Sequence, residues 1–187
     1  MKKHRALIIA AILLVLAGVG GYSIYQFEKR RHTAQEESVK QTLDPVASAL
    51  AKGSPTLQVK LYLYNPGRLN PGEQFLYTQD GAIFETQDTV LKARQIVNEV
   101  LKSRPLFGDE AKLRQIYLLE DGTAVVDVSQ QTVKQLTGGV TAELAAVLSI
   151  TRSLRGNIEE IQRVRFLVEG QEAESFGGHV SIRAPFM

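Results

Sequence analysis

One stretch near the C-terminal end, Phe166–Ile182, combines residue types that could do acid–base chemistry. It reads FLVEGQEAESFGGHVSI and holds three carboxylates, a glycine pair and His179. A histidine beside a carboxylate can act as a general base or, with further ligands, hold a metal ion. The other two histidines, His4 and His32, lie in the N-terminal part of the chain. We therefore expect no multi-histidine metal site within one chain, and interpret His179 as a surface or strand-edge residue.

Asp127 is the second residue that could do chemistry, because it lies between two valines in a run that otherwise looks buried. A buried acid with a raised pKa could act as a general base. An acid near the end of a strand more commonly accepts backbone N–H bonds from the turn that follows. We therefore predict that Asp127 caps the turn at Ser129–Gln131.

The other charged side chains of the folded part are expected at the surface. The pairs Asp109-Glu110 and Glu159-Glu160 lie in loops or at helix ends, where acids are solvated. Arg163 and Arg165 share one face of a strand and could meet an acidic partner. Such charges more commonly form the solvent-exposed face of a sheet, and that is the interpretation favoured here.

The chain contains none of the short motifs that mark common catalytic and cofactor sites. There is no G-x-S-x-G, G-x-x-x-x-G-K-[ST], H-E-x-x-H or EF-hand spacing. The chain has no cysteine, which excludes disulfides, Fe–S clusters and cysteine-based zinc sites. We predict a protein that is not an enzyme, with no catalytic, cofactor-binding or metal-binding residues and no small-molecule substrate. The binding residues stay unassigned.

The charge distribution argues against nucleic acid as a partner. The 187 residues carry a net charge of +2, but this excess comes from the N-terminal third. Residues 56–187 are slightly acidic and contain no concentrated basic stripe, which nucleic acid binding requires.

The N-terminal part predicts a membrane anchor followed by a stalk. Residues 1–5 form a basic leader, and Ala6–Tyr25 is an uncharged apolar run long enough to cross a bilayer as one helix. A cleaved signal peptide is the alternative, but its apolar region is usually shorter and no A-x-A site follows closely. The leader favours a cytoplasmic N-terminus. Residues 26–55 are mostly polar or small and predict a stalk.

Residues 56–187 predict an α+β domain. Alternating apolar residues indicate strands at 57–64 and at Arg163–Val168. Asp-Gly dipeptides predict hairpin turns at Asp80-Gly81 and Asp121-Gly122. Asp88 is predicted to cap a helix that runs through Arg104.

The later elements complete the predicted fold. A second helix is expected to be capped by Thr141, with Glu143 in its first turn, and to end at Gly156. A tight turn at Glu169-Gly170 and a short final strand, His179–Ile182, would follow. The βαββαβ order predicts a two-layer sandwich with two helices on one face of a sheet.

Four segments of the chain resemble the GerMN domain family of bacterial sporulation and spore-germination proteins. These are VKLYLY, GTAVVDVSQQ, GGVTAELAAVLSITRSL and VRFLVEGQEAESFGGHVSI, in this order. The resemblance implies a non-enzymatic, extracytoplasmic domain with a two-layer fold like the ring-building motif of membrane complexes. It implies no catalytic residues. Many relatives are lipoproteins, but this chain has no cysteine to acylate, so anchoring is expected to rest on Ala6–Tyr25.

Together these features predict a single-pass membrane protein whose extracytoplasmic domain is a protein-interaction module of the cell envelope. The expected partners are envelope or membrane-complex proteins, or further copies of the chain. The alternative is a protein that binds or hydrolyses peptidoglycan. Hydrolysis would require two carboxylates placed across a cleft, and the acids of this sequence fall mainly in loops.

Overall fold

The computed structural model describes residues 55–67, 75–136 and 138–187. The predicted leader, the predicted transmembrane helix and almost all of the predicted stalk lie outside the described residues, so they stay predictions. In the described part of the chain, no helix is both long and apolar enough to cross a bilayer.

Two sheets and three helices make up the described fold, in the order ββαββααβ. The strands are β1 (Thr56–Tyr64), β2 (Leu76–Phe84), β3 (Leu113–Leu118), β4 (Thr123–Val128) and β5 (Arg163–Val168); the helices are α1 (Thr89–Leu101), α2 (Gln130–Lys134) and α3 (Gly139–Arg155). β1 and β2 form an antiparallel pair, and β4 lies between antiparallel β3 and parallel β5. The predicted α+β class is confirmed. The predicted single sheet with two helices is wrong, because the first two strands form a sheet of their own.

The predicted hairpin at Asp80-Gly81 is also wrong, since both residues lie inside the continuous strand β2. Gly81 pairs with Val59 in the β1–β2 ladder. A Cβ added at Gly81 would lie 2.8 Å from Leu61 Cδ1. A glycine inside a strand commonly marks such a close approach, and here it leaves room for the buried Leu61 side chain.

Helix α1 begins where the sequence predicts. The Asp88 carboxylate accepts hydrogen bonds from the N–H groups of Val90 and Leu91, at 2.9 and 3.0 Å, which are free donors at a helix start. The helix ends at Leu101 rather than Arg104. Its end is tightened because the N–H and the hydroxyl of Ser103 both donate to the Val100 carbonyl.

Helix α3 begins earlier than predicted. Its N-cap is Gly138, which makes no side-chain capping bond, and Thr141 lies inside the helix. Gly156 is the C-cap, as predicted. Because the helix starts before Thr141, Glu143 falls beyond the first turn.

One hydrophobic core joins both sheets to α1 and α3. The two helices contact each other; α1 also contacts β1, β2 and β3, while α3 contacts β1 and β5. The least exposed apolar residues come from helices and strands alike: Ile96, Val97 and Val100, then Val126 and Val128, then Ala145, Ala146, Val147 and Leu154, and Val164. The crossover from β4 to β5 through α2 and α3 places the carboxyl ends of these parallel strands at one edge of the sheet.

Side chains of α3 and its C-terminal turn close the outer edge of β1. The N–H of Tyr62 donates to Ser153 Oγ at 2.9 Å. Asn157 both accepts from the N–H of Lys60, at 2.9 Å, and donates to the Lys60 carbonyl, at 2.8 Å. An unpaired strand edge invites pairing with other chains, and these bonds remove that possibility at Lys60 and Tyr62, in the middle of β1.

Candidate functional site

Glu143 is a buried carboxylate in the apolar face of α3. It occupies the first position of a stripe at helical spacing that continues through Val147, Ile150 and Leu154. Each of these residues is at most 1% exposed, and so is Glu143. The sequence-based prediction placed Glu143 at the helix start and missed this role. A charged residue in phase with a buried stripe is the sequence signal that could have revealed it.

The C-terminal segment supplies the hydrogen-bond donors for this carboxylate. The N–H of Phe176 donates to Glu143 Oε1 at 2.8 Å, and the N–H of His179 donates to Oε2 at 2.9 Å. Burial by itself would raise the pKa of Glu143, but backbone amides facing the carboxylate hold its pKa below the ordinary value. These are the amides of Gly177, His179, Val180 and Phe176. Glu143 is therefore an ionised anchor for the loop.

His179 lies on this loop with its side chain about half exposed. Its ring Nδ1 is 3.3 Å from Glu143 Oε2. The predicted final strand at His179–Ile182 is wrong, because the amides of His179 and Val180 face Glu143 and the Ile182 N–H donates to the Glu174 carbonyl at 2.9 Å, so the segment joins no ladder. Only an isolated bridge links Ser175 with Ser181, and the chain bends at Gly178, whose φ is +93°.

Asp127 is a second buried carboxylate, and it anchors a second turn of the same segment. Its Oδ1 accepts from the N–H of Gly170 at 2.8 Å, and its Oδ2 lies 3.0 Å from Arg114 Nη1. The predicted cap is wrong, because Ser129 caps the following helix with its own hydroxyl. Burial raises the pKa of Asp127; the Gly170 amide and Arg114 offset part of this rise, and the Glu169 carboxylate adds to it.

The turn at Glu169-Gly170 is confirmed. Both residues have positive φ, 54° and 76°, and the N–H and carbonyl groups of Val168 and Gln171 bond to each other across it. Two positive φ values in succession are typical of the type I′ turn. The Glu169 carboxylate accepts from the N–H of Gln130 at 2.8 Å and lies 3.3 Å from Arg114 Nε. The turn is thus tied to β4, β3 and the start of α2.

The acidic pairs and the two arginines singled out in the sequence lie at or near the surface. The two acidic pairs at 109–110 and 159–160 are exposed. Arg163 and Arg165 are half-buried and already have acidic partners within the chain, Asp121 and Glu172 respectively. Within the described ranges, no group of three or more side chains of the metal-binding types converges.

Comparison with known families identifies the domain. The model of the Germane family, described as sporulation and spore germination, matches residues 60–174. This range covers more than half of the chain. The chain belongs to the Germane family. The resemblance to GerMN domains noted from the sequence is thereby confirmed.

Two solved structures from Bacillus subtilis have a similar fold. The first GerMN domain of the sporulation protein GerM is 18% identical, with a TM-score of 0.50, and the match covers 70% of this chain and 94% of that chain. The tandem GerMN domains of GerM give a TM-score of 0.51 at 18% identity, covering 71% of this chain and 45% of that chain. At this identity the likeness shows the fold alone. No curated protein matches the chain.

In this Germane domain the motifs that carry the family resemblance contact one another. Glu143, from the Gly-Gly-x-x-x-Glu-Leu motif, binds the amide of His179 in the closing Gly-His-Val. Asp127, from Val-Val-Asp, binds the amide of Gly170 in Glu-Gly. Three segments distant in sequence thus build one arrangement, in which two buried acids fix the backbone of the C-terminal loop.

Proposed function

We infer that this Germane protein is a non-enzymatic interaction module of the bacterial cell envelope, serving an assembly of the kind used in sporulation or spore germination. Ala6–Tyr25 anchors it in the membrane, and the C-terminal domain lies outside the cytoplasm. Family membership supports the process, and the apolar run and basic leader support the topology. The partner is an envelope or membrane-complex protein.

The observation that carries this proposal is the fixed C-terminal loop, Glu169–Ile182. Both buried carboxylates accept hydrogen bonds from backbone amides of this loop. Burying a charge is costly unless it is fully hydrogen-bonded. Two buried carboxylates whose partners include amides of the C-terminal loop therefore fix the position of that loop. The exposed residues of the loop include Glu172, Glu174, His179 and Ser181.

A loop held in this way is suited to protein recognition. Association ordinarily costs free energy because loops and side chains at the interface become ordered. A surface loop whose backbone is already fixed avoids part of that cost. The same anchors disfavour acid–base catalysis by Glu143, because its oxygens face amide donors of its own chain and burial limits contact with a substrate.

Site-specific photo-crosslinking in native membranes tests this role. A photo-crosslinking amino acid replaces Ser181 in the full chain, and a matched variant carries it in place of Glu110, an exposed residue outside the loop. We expect a defined crosslinked protein from position 181 alone, and a reduced yield when Glu143→Gln is added. Equal yields at both positions, or a yield that Glu143→Gln leaves unchanged, would contradict the proposal.

Two further measurements test the topology and the absence of enzymatic activity. Protease added to intact cells or spheroplasts should digest the domain without access to the cytoplasm. If the domain is protected until the membrane is breached, the orientation is wrong. Hydrolysis of purified cell wall by the full chain, abolished by one Asp or Glu substitution, would favour the alternative of a peptidoglycan hydrolase.

A further inference from the structure

The outer edge of β2 offers backbone groups for pairing with another strand. In an antiparallel pair, residues alternate between those bonded to the neighbouring strand and those whose N–H and C=O groups face away. Lys60 and Tyr62 face away from β2, because they bond to Asn157 and Ser153. Their direct partners across the ladder are Asp80 and Thr78, so the backbone groups of these two residues face away from β1.

This open stretch is short and has clear limits. The backbone of Phe84 also faces away from β1, but the side-chain amide of Gln95 binds both of its groups. Gln95 accepts from the Phe84 N–H at 2.8 Å and donates to the Phe84 carbonyl at 3.0 Å. Leu76, at the other end, is 4% exposed. Between them Thr78, Asp80 and Ala82 are all exposed. We call these three residues the β2 window.

The other strand edges in the described ranges are less accessible. Ser153 and Asn157 cover the middle of β1, at Tyr62 and Lys60. Ile116, whose backbone faces outward from β3, is 2% exposed. Phe186 pairs with Val164 on the outer side of β5 through both N–H groups, at 2.9 and 2.8 Å. The β2 window therefore stands out as an edge that solvent, and hence another chain, can reach.

We propose that the β2 window binds an extended segment of a different protein, which adds a third strand to the β1–β2 sheet and carries a basic residue opposite Asp80. The backbone bonds at the window supply the attachment, as in other cases of strand addition. This inference is independent of the role assigned to the C-terminal loop.

Charge selects the occupant. A residue opposite Asp80 on an added strand lies roughly 5 Å away between Cβ atoms. Lys60, the direct partner of Asp80 on β1, is about equally close to Asp80, but it lies two strands, roughly 10 Å, from that added residue. A lysine or arginine there meets an opposite charge. Antiparallel pairing of two copies centred on the window would place Asp80 against Asp80 of the second copy, and like charges directly opposite are destabilising. The acid thus favours a basic segment of another protein over self-pairing.

Binding of synthetic peptides to the full chain in detergent tests the proposal. The probes are fluorescent peptides of roughly seven alternating threonine and valine residues, long enough to span the window, with a central lysine or a central glutamate. A third probe is the lysine peptide with a methyl group on every backbone nitrogen, which removes the N–H donors from both of its edges and so prevents pairing with a strand edge. Fluorescence anisotropy gives the dissociation constants.

We expect the lysine peptide to bind roughly fivefold more tightly than the glutamate peptide, and the N-methylated peptide to lose binding. Asp80→Lys should reverse the preference. Ala82→Pro, which removes one outward N–H, should weaken binding, whereas Gln58→Pro, directly opposite on β1, should not. Binding of the N-methylated peptide, no binding of the lysine peptide, or an Asp80→Lys variant with unchanged preference would overturn the proposal. Dimers of the full chain that Asp80→Lys or Ala82→Pro abolishes would show that a second copy occupies the window.

Discussion

Replacement of Glu143 by glutamine should loosen the C-terminal loop and destabilise the domain. Glutamine keeps the shape of the side chain but has only one acceptor oxygen. The Glu143 oxygens now accept from the N–H groups of Phe176 and His179, at 2.8 and 2.9 Å. The NH₂ group of glutamine would face one of these two donors. A buried amide left without an acceptor costs about 1–3 kcal/mol, and the hydrogen bond that remains loses the strength of a charged acceptor. Because Glu143 is 1% exposed, water cannot replace the lost acceptor.

We expect Glu143→Gln to lower the free energy of unfolding by about 3 kcal/mol. The chain has no tryptophan, so urea unfolding of the full chain is best followed by circular dichroism. Hydrogen exchange should locate the effect, with faster exchange at the amides of Phe176 and His179. Glu174→Gln is the matched control, because that carboxylate lies in the same segment but its side chain is 64% exposed.

The pH dependence gives a second test of the same anchor. The pKa of Glu143 is lowered in the fold, so its contribution to stability is complete above the unfolded carboxyl value of about 4.3. That contribution is lost as the pH falls through the lower folded pKa. The difference in stability between the native chain and Glu143→Gln should therefore shrink in acid. A variant within about 0.5 kcal/mol of the native chain, with unchanged exchange, would refute the anchoring role.

Three further substitutions test the packing. Asp127→Asn should cost no more than about 1 kcal/mol near neutral pH, because burial already disfavours the charge. Urea midpoints should show that only the native chain gains stability as the pH falls through the raised pKa of Asp127 toward the unfolded value of about 3.9. A loss of stability equal to that of Glu143→Gln would contradict this. Gly81→Val should destabilise the domain by about 1–3 kcal/mol in thermal unfolding, because the new Cβ would lie 2.8 Å from Leu61 Cδ1. This loss is expected despite the high strand propensity of valine. A stabilised variant would show that the core has room for the side chain. Ser153→Ala should cost about 1–2 kcal/mol by removing the acceptor of a β1 amide. Its control, Ser149→Ala, removes a buried hydroxyl without a partner in the described residues and should be neutral or stabilising. Equal melting temperatures of the two variants would contradict the role of Ser153 in closing the edge of β1.

The two Asp-Gly dipeptides show what sequence can and cannot predict about this fold. At Asp121-Gly122 the dipeptide forms the predicted turn, with Gly122 at φ +76°. At Asp80-Gly81 the same pair lies inside a strand. The dipeptide is identical, and what differs is its partner: Gly81 pairs with Val59 of β1 and lies against the Leu61 side chain. Features that depend only on residues adjacent in sequence, such as the Asp88 cap and the alternation of β1, are predicted correctly. The conformation of Asp80-Gly81 depends on a partner strand, and local sequence does not reveal it.

The candidate site could be predicted only in part. The Glu169-Gly170 turn follows from local sequence, since glycine accepts positive φ. The partners of Glu143 lie 33 and 36 residues further along the chain, and no local pattern specifies such a contact. The partner of Asp127, Gly170, is likewise 43 residues away. The family resemblance identified these segments, and the structure explains them as contacts with one another.

The order of the two acids and their donors along the chain has a consequence for biosynthesis. Glu143 and Asp127 leave the ribosome before the amides that bind them, so an unfinished chain that buried these acids would leave both without their backbone donors. An unpaired buried charge is strongly unfavourable. The two acids therefore couple completion of the core to synthesis of the C-terminal loop, because a chain that stops before Phe176 lacks the donors that make burial of Glu143 favourable. Incomplete chains therefore stay open to proteolysis.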